Sequence, residues 1–173
     1  MGRQATWIPV CVLVWAVTAA RSAPPCPPLA TMTDEQRLTL NRCIPLGSDS
    51  ESVRATGVVR SCHDVTSVYG QPVELILRFD EGRLRSIGYG TLGPVIASDS
   101  LQELLGKYYS QLWGEPSVHD LGADGKTVRV TLWSGPECDV ILTRFNDGPQ
   151  GFVGWGLERP GTWRARLDAA EHR

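Results

Sequence analysis

Apolar residues first appear as one unbroken block rather than a pattern. It runs from Trp7 to Ala20, behind a short start carrying Arg3 and ahead of the small residues Ser22 and Ala23. At about 14 residues it falls short of the roughly 20 that a helix needs to cross a bilayer. Positive start, apolar middle and small-residue exit predict a signal peptide over residues 1–20, cleaved after Ala20 or Ser22 because Pro24 disfavours a cut after Ala23. An uncleaved anchor is the alternative. Residues 21–32 then form a stiff proline-rich arm that holds Cys26 and can be neither helix nor central strand.

Periodic patterning begins after the arm. Thr33 and Gln36 have capping-box spacing and predict a helix that stops by Cys43, because Pro45 disfavours helical geometry at Ile44. Ser48 and Glu51 repeat the signal and predict a short helix to about Ala55, ended by Gly57. A strand is expected at 58–62. Val73, Leu75, Leu77 and Phe79 alternate with Glu74 and Arg78, and a second run at 83–89 follows across Asp80-Glu-Gly82, the pattern of a β-hairpin. After a loop at 90–97, Ser100 and Glu103 open the longest helix. Its apolar stripe is read as Leu101, Leu104, Leu105, Tyr108 and Leu112, and Gly114 and Pro116 end it.

Three more strands are expected at 127–133, 138–145 and 152–157, with turns at 134–136 and 146–149. On the first of these, Val128, Val130 and Leu132 alternate with Arg129, Thr131 and Trp133, and the aliphatic set is assigned to the core. The polar tail at 159–173 has one docking face, Trp163, Leu167 and Ala170, if it forms a short helix. Tyr69-Gly-Gln-Pro72 and Trp113-Gly-Glu-Pro116 echo each other ahead of strands. The expected fold is therefore α+β: a single domain over 33–158, with helices packed on one face of an antiparallel sheet, and two helix-then-hairpin repeats as the arrangement the echo offers.

Of the five cysteines, Cys11 lies in the leader, which leaves four for the exported chain. An even count behind a secretion signal predicts two disulfides formed in an oxidising compartment, secreted or periplasmic. Three pairings are open. The preferred one joins Cys43 to Cys62 and Cys26 to Cys138, which leaves no free thiol. Losing Arg3 with the leader makes the chain slightly more acidic than the formal −2 of the whole sequence, and no basic block suits nucleic acid.

No residue is assigned to catalysis, to a metal or to a cofactor, and the chain is not read as an enzyme. Cys62 and His63 are neighbours whose side chains would point to opposite faces of a strand. His63-Asp64 and His119-Asp120 lack metal-ligand spacing and are read as loop or strand-end residues; a hydrolase would need the two histidines to converge. There is no Gly-x-Ser-x-Gly, and the glycines of 151–156 lack a phosphate-loop pattern. Arg129, Trp133 and Trp155 remain as the candidate binding residues, on an outward sheet face rich in the residue types that dominate interfaces. A tail helix carrying Trp163 is the competing use of that face.

The run Ile44-Pro-Leu-Gly47-Ser-Asp-Ser-Glu-Ser-Val53, followed by Gly70-Gln-Pro72, Leu75-Ile-Leu-Arg-Phe79 and Gly82-Arg-Leu84, resembles small secreted bacterial domains. These are typified by the β-lactamase-inhibitory proteins and the small outer-membrane assembly lipoproteins. Gly47, Asp49 and Val53 match that group's spacing of a glycine, a capping residue and an apolar residue at a helix start. The second half lacks the group's Gly-x-Thr/Ser helix start, and no lipid-attachment cysteine is present. The resemblance implies a helical layer on an antiparallel sheet and a binding rather than catalytic role, with no target or binding residue carried over. The functional expectation is an exported, non-catalytic protein that acts on another protein of the bacterial envelope or exterior as inhibitor, adaptor or assembly factor, without stable membrane insertion once the signal is removed. A small-molecule or lipid carrier, with its pocket between residues 101–113 and the sheet, is the alternative, and a secreted hydrolase is the weaker third.

Overall fold

The computed structural model describes residues 26–92, 98–123, 126–145 and 152–171. The leader, residues 93–97, the turn at 146–149 and His172 lie outside the described residues. Two short helices, α1 (Asp34–Leu38) and α2 (Ser50–Ala55), precede β1 (His63–Val68), β2 (Gln71–Asp80) and β3 (Arg83–Thr91). The long helix α3 (Ser98–Trp113) precedes β4 (Ser117–Ala123), β5 (Lys126–Ser134), β6 (Asp139–Phe145) and β7 (Phe152–Glu158), and α4 (Thr162–Glu171) closes the order. All neighbouring strands pair antiparallel in one seven-stranded sheet, β1-β2-β3-β7-β6-β5-β4. The protein is thus α+β, and each half is a helical segment followed by an up-and-down run of strands. The halves meet where β3 pairs with β7.

Local chemistry accounts for most boundaries. Thr33 and Gln36 form the full capping box of α1, while Asp49 rather than Ser48 caps α2 by accepting a hydrogen bond from the Ser52 amide at 2.7 Å. The first expected strand begins at His63 instead of residue 58. β4 had no expectation at all; its edge position lets polar residues alternate with modest apolar ones. The two aromatic-Gly-x-Pro sequences do different jobs. Tyr69 and Gly70 make the β1–β2 turn with φ of 50° and 75°, whereas the Gly114 amide donates to the Ser110 carbonyl and ends α3.

The core corrects three expectations. First, α3 turns Leu101, Leu105 and Tyr109 inward, while Leu104 and Leu112 remain 43% and 42% exposed. Tyr109 has the larger apolar body, lies 5.6 Å from both Trp113 and Trp133, and donates its hydroxyl to the Leu38 carbonyl. Burying that ring rotates the helix away from the leucine-rich stripe. Second, Trp133 faces inward with Val140, Leu142 and Trp155, so the assignment of β5 faces is reversed. Third, the helices do not share one face. Val130, Leu132 and Ile141 point to the other side of the sheet, where α4 covers them with Leu167 and Trp163.

The cysteine pairing also differs. Cys26 is bonded to Cys43, and Cys62 and Cys138 are unpaired. The arm folds back along the first helical segment, with the Leu29 amide donating to the Val58 carbonyl, and so brings Cys26 to Cys43. Cys62 precedes β1 and Cys138 precedes β6, four strands apart in the sheet. At about 4.8 Å per strand that is roughly 19 Å, far beyond disulfide reach. Burial, with Glu137 and Asp139 adding to it, pushes the Cys138 thiol up to about 12, whereas Cys62 is exposed. Thiol titration of residues 21–173 without reductant should therefore find one reactive group in the native state and a second only after denaturation. Two native equivalents would contradict the burial of Cys138.

Candidate binding groove on the second sheet face

Strand pairing decides what lies on the side opposite α3. Gly88 pairs with Gly156 and Gly90 with Gly154, so four glycines from β3 and β7 form one bare patch at the junction of the two halves. Ile76 of β2 and Ile141 of β6 rise on either side of it. Phe152 stands at one end, Ser86 and Glu158 at the other, and Trp163 of α4 overhangs the β6 side. The result is an open groove of about 310 Å³ with a backbone floor.

The two glycine pairs are not equivalent. The Phe152 ring lies across Gly90 and Gly154: a Cβ on Gly90 would come within 2.7 Å of that ring, and one on Gly154 within 3.3 Å. A Cβ on Gly88 or Gly156 would meet only backbone, at 3.6 Å and 3.4 Å, which is ordinary contact. Neither residue has the positive φ that would demand glycine. Glycine inside a strand costs roughly 0.5–1 kcal/mol relative to alanine, and a β-branched residue would gain more. Gly156→Val should therefore raise stability by about 1 kcal/mol in urea unfolding while its methyls fill the groove. A loss of stability would mean that the floor is needed by the fold.

The closed end carries the titratable groups. Glu158 and Asp139 are cross-strand partners, both buried. Both oxygens of Asp139 and Oε2 of Glu158 are shut off from solvent and make no well-aligned hydrogen bond, and the Trp163 indole N–H beside them acts on Glu158 only as a weak donor. Arg166 holds its guanidinium 5.0 Å from the Trp163 ring centroid and 3.4 Å from Glu158 Oε2, an ion pair without hydrogen-bond alignment. Burial raises the Glu158 carboxyl above its ordinary 4.5 and Asp139 adds to that, while the Trp163 indole and Arg85 and Arg78 pull it down.

The folded protein therefore keeps the Glu158 proton at pH values where the unfolded chain has released it. The stability this contributes is full below about pH 4.5 and is lost as pH rises through the raised value. Glu158→Gln should remove that slope, so that the variant gains on the parent protein from pH 4.5 toward neutrality in urea titrations. Parallel curves would show that Glu158 titrates normally.

The residues expected to form a binding face sit elsewhere. Trp133 and Trp155 are 2% and 3% exposed; the first donates its indole N–H to Ser110 Oγ, and the second stacks on Tyr89 with centroids 5.0 Å apart. Arg129 is at the surface, held by Asp120 through two contacts of 3.0 and 3.3 Å. The three make no common patch. His63 and His119 lie on the two edge strands, about 29 Å apart at the usual strand spacing, so the pair a hydrolase would need does not converge. His63 lies 3.0 Å from Glu74, and His119 lies 3.1 Å from Ser117. Among the described residues no group of His, Cys, Asp and Glu is placed to hold a metal ion, and no helix is long and apolar enough to cross a membrane.

No family model, no curated protein and no solved structure matches the chain.

The groove escaped the sequence reading because it is built from missing side chains. Its only signal is glycine at alternate positions, Gly88-Tyr-Gly90 and Gly154-Trp-Gly156. Two-residue spacing puts each pair on one face of its strand. Their adjacency depends on a pairing between distant strands.

Proposed function

We propose that the protein is an exported, non-catalytic binding protein that holds another protein of the bacterial envelope or exterior in the groove of the second sheet face. The observation that carries this reading is the pair Gly88 and Gly156. Both occupy strand positions where a side chain would fit and would strengthen the sheet, yet both are left bare beside an open groove. The leader-like start and the Cys26–Cys43 bond support export to an oxidising compartment. The resemblance of residues 44–89 to secreted inhibitory and assembly domains points the same way. The carrier alternative has its pocket between residues 101–113 and the sheet, where Leu101, Leu105 and Tyr109 are buried, so the groove on the other face is the reading favoured here.

A photo-cross-linking residue placed at Ile76, on the groove wall, tests the reading in cells of the source organism. It should give a discrete adduct with a second protein, and the adduct should vanish when Gly156→Val is added. The same cross-linker at Val65, exposed on the edge strand β1, should not give it. No adduct at Ile76, or the same adducts from Val65, would overturn the proposal.

A further inference from the structure

We infer that α4 is a pH-sensitive strap: it lies on the second sheet face while the acidic pair Glu158 and Asp139 keeps a proton, and it lifts away once both are ionised. The inference concerns the cover of that face and stands whether or not the groove beside it takes a partner.

The strap is lightly fastened. Of the α4 side chains described, Leu167 alone is buried, and with Val130, Leu132 and Ile141 it makes the smaller of the two apolar clusters. Trp163 is half-buried. The helix joins β7 through Arg159, Pro160 and Gly161, all exposed, and Gly161 takes a φ of 77° that favours glycine. A segment with so few buried apolar contacts opens before the strands beneath it.

The groups under the helix work against the fastening. Glu158 and Asp139 face each other across β7 and β6, and the two-residue period puts Asp139 on the side of Ile141, the side α4 covers. Their exposures are 9% and 1%, and three of their four oxygens are shut off from solvent without a well-aligned hydrogen bond. Burial penalises a carboxylate far more than a neutral acid, and a second carboxylate on the adjacent strand adds repulsion. Arg78 of β2 and Arg85 of β3 also act on Glu158, but they belong to the sheet and stay with it whether α4 is down or up. Arg166 and the Trp163 indole are the favourable partners that leave with the helix, and the Arg166 contact is an unaligned ion pair of 3.4 Å. Burial outweighs them: the Glu158 carboxyl stands above its ordinary 4.5. The docked form therefore holds the proton more tightly than a lifted form in which the carboxyl meets water. Raising the pH through that range shifts the balance toward the lifted form. Lifting bares Val130, Leu132 and Ile141, an apolar strip continuous with the groove at Ile141.

Amide hydrogen exchange of residues 21–173, read residue by residue by NMR and expressed as protection over the unstructured chain at each pH, tests the strap. From pH 4.5 to neutrality, protection at Arg166, Leu167 and Asp168 should fall several-fold, while Val140 of β6 and Leu157 of β7 keep theirs. Glu158→Gln should hold α4 at its acid-side protection throughout, and Asp139→Asn provides the same test should the first variant not fold. Leu167→Ala should lower α4 protection at every pH and leave its pH dependence in place. Constant protection of α4, a rise with pH (the Arg166 ion pair prevailing) or the same fall in Glu158→Gln would overturn the inference. An Ile76 cross-link alongside pH-independent α4 protection would remove the strap and leave the groove as the partner site.

Discussion

Trp133→Ala should destabilise the protein by about 3–5 kcal/mol, the range for deleting a fully buried indole. Trp133 is 2% exposed, lies against Tyr109 and has its N–H satisfied by Ser110, so truncation opens a cavity and strands a hydroxyl partner. A domain of this size holds only about 5–15 kcal/mol in all. Urea unfolding should show a midpoint lower by roughly 2 M at a typical slope, with Trp133→Phe recovering much of the loss. Trp155→Ala should behave similarly, because its ring stacks on Tyr89, whose hydroxyl ties the sheet to the Arg37 carbonyl at 2.6 Å. An unchanged midpoint would return both tryptophans to the surface role first expected of them.

The second large effect is expected at the amino-terminal arm. Replacing Cys26 and Cys43 together by serine should cost about 3 kcal/mol, since the bond closes a loop of 17 residues. The arm also carries Leu29 and Met32, both buried, which would lose their tether. Unfolding with and without reductant is the measurement: reduced parent protein should match the double variant, while Cys62→Ser should leave the midpoint where it was. A large loss from Cys62→Ser, with little from the double variant, would restore the pairing of Cys43 with Cys62.

These outcomes trace what the residues did and did not reveal beforehand. The β2–β3 hairpin was legible because one side of β2 is core and the other is not, so Val73, Leu75 and Leu77 stand out against Glu74 and Arg78. On β5 both sides are covered, one by α3 and the other by α4. Alternation then carries no information about direction, and the aliphatic set was mistaken for the only buried one. In α3 the leucines outvoted the aromatics, although Tyr109 and Trp113 hold more apolar surface. Disulfide choice depended on where the arm folds, and no local pattern records that. The groove was out of reach for a related reason: Gly88 and Gly156 become neighbours only when β3 finds β7.

That pairing has a consequence for how the chain folds. Every other strand pair joins consecutive strands, formed by segments close in sequence, whereas Gly88 and Gly156 are separated by roughly 70 positions, so their contact carries a much larger loop-closure cost. The two meanders can form early and independently, and the seam between them closes late. Side chains added at the seam would then act after the rate-limiting barrier, slowing the opening of the native protein more than they speed its formation. By keeping glycine there, the chain leaves this late-closing junction held on one face by the Tyr89–Trp155 stack and bare on the other, so the groove proposed for a partner lies along the seam between the two meanders.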